Sequence, residues 1–133
     1  MADSAAATKD ASADTSANVL LVTDDQRLRA ELVDAFPAGY EVSVLPDARQ
    51  AREYLETNRA SVLVVDIRTG SAGGFGLLKA MQQDPRIADV PAVMIVERSQ
   101  DKWLAKEAGA QLVLTKPVGA ERVVANAISL VDA

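Results

Sequence analysis

The stretch SVLVVDIRTG, residues 61–70, is an apolar run that ends in a single carboxylate, Asp66, shortly before a glycine. A short, continuously apolar run of this kind is typical of a strand buried on both faces of a parallel sheet. Ligand sites in open parallel sheets lie beyond the carboxyl ends of the strands. The position of Asp66 at the end of this run therefore predicts a functional carboxylate.

The remainder of the chain repeats the pattern. From Asn18 onward, short apolar runs alternate five times with segments of helical period, which predicts an α/β fold with a parallel sheet and helices on both faces. The predicted strands are NVLLV (18–22), YEVSVL (40–45), SVLVVDI (61–67), AVMIV (92–96) and QLVLT (111–115). The predicted helices span about 26–36, 46–58, 74–83, 100–108 and 118–131.

The composition limits the chemistry that the chain can perform. Its 133 residues, 49% hydrophobic and 25% charged, suit one globular domain with a sizeable core. A net charge of -5 with scattered basic residues disfavours direct binding of nucleic acid. The absence of cysteine and histidine excludes disulfides, Cys/His zinc sites and Ser-His-Asp triads. Carboxylates, hydroxyls and lysine must carry any reaction.

The first residues differ in composition from the rest. Residues 1–17 are rich in Ala, Ser, Thr and Asp, which predicts a disordered tail ahead of a single domain over 18–133. This tail lacks the apolar core of a signal peptide. No later run approaches the roughly 18 apolar residues of a membrane span. We therefore expect a cytoplasmic protein.

Charged side chains also follow two other predicted strands. Asp24 and Asp25 follow the first strand, and Lys116-Pro117 follows the fifth. If these groups meet Asp66 at one sheet edge, the repulsion between carboxylates favours a bound cation, and an all-oxygen donor set suits Mg²⁺. A lysine beside the metal can neutralise an incoming phosphoryl group, which suggests phosphoryl transfer to Asp66. A simpler alternative stays open for the two acids after the first strand, since such acids often cap the following helix.

Residues 18–131 resemble the receiver domain of two-component response regulators, and are similar to the stand-alone chemotaxis receiver. The matching stretches are VLLVTDDQRLRAEL (19–32), VLVVDIRTGSAGGFGLLKAM (62–81), VPAVMIV (90–96) and EAGAQLVLTKPV (107–118). The resemblance implies a flavodoxin-like fold with five helices and strand order 2-1-3-4-5.

The resemblance also implies roles for individual residues. Asp66 would be the phosphorylated aspartate, and Lys116, joined to Pro117 by a cis bond, would contact the phosphoryl group. Asp24 and the backbone carbonyl of Arg68 would bind Mg²⁺ together with Asp66, with Asp25 as an additional candidate. The implied partners are a sensor histidine kinase or another phosphodonor, and a downstream protein bound through the face of helix four, strand five and helix five. The protein would not be an enzyme beyond its own phosphorylation.

The sequence departs from the family pattern at several positions. Thr23 takes the place of the first of the paired acids, which implies weaker Mg²⁺ binding; a one-residue shift would restore the pair as Asp24 and Asp25 but would spoil the register of the first helix. Val96 replaces the Ser or Thr that bonds the phosphoryl group, and Val113 replaces the aromatic residue that moves with it.

The hydroxyl that Val96 lacks would have stabilised the phosphorylated state through a hydrogen bond. A hydrogen bond to a charged group is worth about 1.5 to 3 kcal/mol, and about 1.4 kcal/mol changes a population tenfold. Phosphorylation should then be propagated weakly or by another route. The alternative function is a phosphorylation-independent module that binds a partner constitutively.

Other functions fit the sequence less well. GGFGLLKA (73–80) imitates a dinucleotide-binding turn, but Lys79 stands at the third glycine position. The acids after the first strand would repel the phosphate of a flavin, and Arg68 stands where a dehalogenase-type phosphatase has its second Asp. Trp103 is predicted to be partly buried against the fourth strand, with a place in a partner surface as the alternative.

Overall fold

A computed structural model describes residues 17–66 and 73–132. Arg68 and the predicted tail lie outside the described residues, except that Ala17, predicted as part of the tail, begins the first strand. The strands are β1 (Ala17–Val22), β2 (Tyr40–Leu45), β3 (Val62–Asp66), β4 (Ala92–Val96) and β5 (Leu112–Thr115). The helices are α1 (Gln26–Ala35), α2 (Ala48–Thr57), α3 (Gly73–Gln82), α4 (Lys102–Ala108) and α5 (Ala120–Val131).

The strands form one parallel five-stranded sheet in the order β2-β1-β3-β4-β5. The predicted α/β fold and strand order are therefore confirmed. Strand order reverses between β1 and β3, which is the switch point where open sheets of this kind place their sites. The fourth helix differs slightly from its predicted start, because a 3-10 turn over Ser99–Asp101 precedes α4.

The sheet has a hydrophobic core on each face. One core includes Leu20, Leu63 and Met94, together with residues of α2, α3 and α4. The other includes Leu21 and Val64 beneath α1 and α5. Adjacent residues of the central strands thus point to opposite faces, as the pleat requires, and both faces are covered, which explains why these strands are apolar throughout.

Two helix starts are fixed by aspartates. The Asp25 side chain accepts hydrogen bonds from the backbone N–H groups of Arg27 and Leu28, and Asp47 accepts from that of Gln50. Each carboxylate satisfies backbone donors that have no partner within the helix. Asp25 therefore caps α1, which was the simpler alternative for the acids that follow the first strand.

The predicted burial of Trp103 is wrong. Its side chain is 65% exposed, and its neighbour Leu104 is 41% exposed. The helix instead buries Ala105 and Ala108, both at 0% exposure. Small side chains let α4 lie close to the sheet, and the two large apolar residues are turned outward. In the described part of the chain, no helix has the length and apolarity needed to cross a bilayer.

Candidate functional site

Strand pairing brings three predicted site residues to one edge of the sheet. Val22 at the end of β1 pairs with Val65, and Asp66 at the end of β3 pairs with Ile95. Thr23 directly follows β1, and Lys116 directly follows β5. Because all five strands are parallel, their carboxyl ends share this edge.

Asp66 is buried but paired. The residue is 2% exposed, and its Oδ2 accepts a hydrogen bond from Thr23 Oγ1 at 3.2 Å. Lys116 Nζ lies 3.4 Å from Oδ1 and 3.3 Å from Oδ2. A buried carboxylate without partners would be strongly disfavoured, and these contacts supply the partners that Asp66 needs at the strand end.

Lys116 has a second anionic partner, Glu97, which sequence reasoning missed. Lys116 Nζ donates to Glu97 Oε2 at 3.0 Å, a shorter distance than either contact with Asp66. Burial alone would lower the pKa of Lys116, but the hydrogen bond to Glu97 and the charge of Asp66 outweigh burial and raise the pKa above its ordinary value. Lys116 therefore remains a cation between two carboxylates.

The sequence contained a signal for Glu97. It directly follows the buried strand β4, just as Asp66 ends β3 and Lys116 follows β5. The rule that charged residues at strand ends converge applies to it equally. The peptide bond between Lys116 and Pro117 is cis, as the resemblance implied.

Comparison with known proteins shows the family of the chain. The family model described as the response regulator receiver domain matches residues 19–128. The chain belongs to this family. Receiver domains are signalling domains of two-component systems rather than classical enzymes.

Individual relatives are similar over most of the chain. The chain is 29% identical to the transcriptional regulatory protein GltR of Pseudomonas aeruginosa over 113 residues, which cover 82% of this chain and 46% of that protein. It is 32% identical to the heme response regulator HssR of Staphylococcus saprophyticus over 102 residues, covering 74% and 44%. The chain thus spans less than half the length of these relatives.

Solved structures share the fold. The chemotaxis response regulator CheY4 of Vibrio cholerae has a TM-score of 0.75 and 28% identity, covering 87% of this chain and 99% of that one. A putative response regulator from Chloroflexus aurantiacus has a TM-score of 0.80 at 24% identity, covering 88% and 98%.

The three residues that follow β1 in this receiver domain, Thr23, Asp24 and Asp25, have different surroundings. Thr23 is 2% exposed; besides donating to Asp66, its Oγ1 accepts a hydrogen bond from the Asp25 backbone N–H at 3.1 Å. Asp25 caps α1, and Asp24 between them is exposed. Thr23 therefore occupies the inward position beside Asp66, which supports the alignment that places a hydroxyl where the family has its first acid.

The donors available for a divalent cation are few. Within residues 17–66 and 73–132, no group of three or more His, Cys, Asp or Glu side chains could hold a metal ion. The carboxylates at this edge are Asp66, the exposed Asp24, and Glu97, which is paired with Lys116; Arg68 lies outside the described residues. Asp66 and Asp24, completed by water and phosphate oxygens, would suit Mg²⁺, with one charge fewer than the family's paired acids would supply.

The two substituted switch positions are aliphatic and packed. Val96 is 0% exposed in the core beneath α4, and Val113 packs against the same core. Neither side chain can donate a hydrogen bond to an anion at Asp66. A phosphoryl group there would find Lys116, but no hydroxyl from the end of β4.

We predict that Thr23→Asp will make the domain more dependent on divalent cation. A carboxylate in this buried position would repel Asp66, so the melting temperature should fall without Mg²⁺. It should then rise by more than the wild-type shift when Mg²⁺ is added, because the added carboxylate strengthens binding roughly tenfold. Thermal melts across a magnesium titration measure both effects.

Thr23→Val is the matched control. It removes the hydroxyl without adding charge, and should lower stability by about 1 kcal/mol without increasing the magnesium-induced shift. Equal shifts for Thr23→Asp and wild type would show that position 23 does not face the cation.

Proposed function

We propose that this receiver domain accepts a phosphoryl group on Asp66, with Mg²⁺, in a two-component phosphorelay, and that it signals by protein–protein contact. The observation that carries the proposal is the buried Asp66 carboxylate held by Lys116 Nζ at 3.3 Å. Such a carboxylate is held in one orientation, and a cation lies beside the place where negative charge would accumulate.

The transfer step follows from these contacts. An Asp66 Oδ attacks phosphorus, and the bond between phosphorus and the donor's leaving atom breaks. With acetyl phosphate as donor, acetate departs with the electron pair, and no proton is consumed. Lys116 donates to the transferred oxygens as a point charge, while Thr23 orients the carboxylate. When bound, Mg²⁺ would offset the charge of the phosphoryl group.

The partners proposed for this function are a sensor histidine kinase or another phosphodonor, and a downstream protein. The exposed Trp103 and Leu104 support a docking role for the face formed by α4, β5 and α5. A cytoplasmic location stays a prediction that accompanies this proposal.

The proposal is tested by intact-mass spectrometry of the folded protein after incubation with acetyl phosphate and Mg²⁺. We expect the mass of one added phosphoryl group, which hydroxylamine removes because an acyl phosphate is labile to that nucleophile. A folded sample that gains no phosphoryl group would contradict the proposal for small donors.

A second candidate function is a phosphorylation-independent interaction module. It is favoured by the aliphatic residues Val96 and Val113, which leave no hydroxyl relay, together with the exposed Trp103. The same mass measurement separates the candidates, because only the first requires a phosphoryl adduct.

A further inference from the structure

Lys116 is divided between two carboxylates in the structure. Its Nζ lies 3.0 Å from Glu97 Oε2 and 3.3 Å from the nearer oxygen of Asp66. An ammonium group has three N–H donors and no more. Each donor engaged by Glu97 is one that is withheld from an oxygen of a phosphoryl group on Asp66.

Among Asp66, Lys116 and Glu97, the side chain of Glu97 is the most exposed. Its side chain is 36% exposed, compared with 26% for Lys116 and 2% for Asp66. A partly exposed ion pair of this kind contributes little to stability, so it can open without disturbing the fold. Its carboxylate nevertheless adds negative charge within a few ångströms of the cation that an anionic donor must reach.

We propose that Glu97 is a gate for phosphoryl transfer: its carboxylate engages the ammonium of Lys116, and an incoming phosphoryl group must compete with Glu97 for that ammonium. Glu97 thus slows transfer from a small anionic donor such as acetyl phosphate. This inference rests on the proposed function of Asp66. It assigns Glu97 a positioning role that acts through Lys116.

The test compares the initial rates at which acetyl phosphate modifies the wild type and Glu97→Gln. The substitution keeps side-chain size and removes the charge. We expect the variant to be phosphorylated about threefold to tenfold faster at low salt, as for the removal of one partly screened charge near the reacting group. Added salt screens the charge of Glu97 and should therefore raise the phosphorylation rate of the wild type more than that of the variant. The difference between the two rates should then become smaller.

Glu107→Gln is the matched control. Glu107 is exposed in the last turn of α4, at the opposite end of the helix from the site, and its substitution makes the same change in net charge. We expect its rate and salt dependence to equal those of the wild type. A rate increase as large as that of Glu97→Gln would show a general charge effect and overturn the gate.

The remaining outcomes separate this inference from the proposed function. Adduct formation at equal or lower rates in Glu97→Gln would overturn the gate and leave phosphoryl acceptance standing. An adduct in Glu97→Gln but not in the wild type would support a fully closed gate. No adduct in either chain, with both folded, would overturn the proposed function and the gate that rests on it.

Discussion

Asp66→Asn is expected to abolish phosphorylation by acetyl phosphate completely. The amide has nearly the same volume as the carboxylate but lacks the negatively charged oxygen that attacks phosphorus. Lys116 retains its 3.0 Å contact with Glu97, so the variant should fold. Intact-mass spectrometry should show no adduct at times when the wild type is fully modified, and circular dichroism should show an unchanged fold.

Neighbouring acids supply the controls for this prediction. Asp25→Asn should retain phosphorylation, because Asn caps a helix about as well as Asp and the Asp25 side chain is engaged with the start of α1. Asp24→Asn should slow the reaction and raise the magnesium concentration it requires, if Asp24 binds the cation. A hydroxylamine-sensitive adduct on Asp66→Asn would place the acceptor elsewhere in the chain.

Leu32→Ala is expected to lower the free energy of unfolding by about 2 to 5 kcal/mol. Leu32 is 0% exposed and is the buried residue of α1, in the core between the sheet and α5. Truncation removes a fully buried side chain of α1 and leaves a cavity that the surrounding strands cannot readily fill. Urea denaturation followed by circular dichroism measures the change.

Val33→Ala tests whether the burial of Leu32 causes the loss of stability expected in Leu32→Ala. Val33 is the next residue of the same helix and is 44% exposed. Its truncation should change stability by about 0.5 kcal/mol or less, since little buried area is lost and Ala has a better helix propensity. Equal losses at the two positions would contradict the described orientation of α1.

Much of the fold was predictable because burial on both faces leaves a simple signal. AVMIV is apolar throughout and is buried as β4, whereas the apolar residues of YEVSVL alternate with Glu41 and Ser43 in the edge strand β2; both strands have the predicted bounds. The convergence of Asp66 and Lys116 followed from the rule that parallel strands end at one edge. These inferences need only the direction of the chain and the side-chain type.

The details that were missed depend on three-dimensional packing. Helical period alone does not show that α4 approaches the sheet through Ala105 and Ala108, which turns Trp103 outward. The contact between Glu97 and Lys116 depends on how far two flexible side chains reach across the edge of the sheet. Thr23 and Asp25 could be ranked only by observing which side chain turns toward Asp66 and which caps the helix.

The central place of β3 has a consequence for how this domain could respond to modification. β3 pairs with β1 on one side and β4 on the other, and its residues Val62–Val65 are all at 0% exposure. Amide hydrogens in such a strand exchange with solvent only in openings close to global unfolding. Asp66 is attached to this buried strand, so we expect its backbone to move little when charge is added. A rearrangement would then involve side chains that follow other strands at this edge, such as Glu97 after β4 and Lys116 after β5.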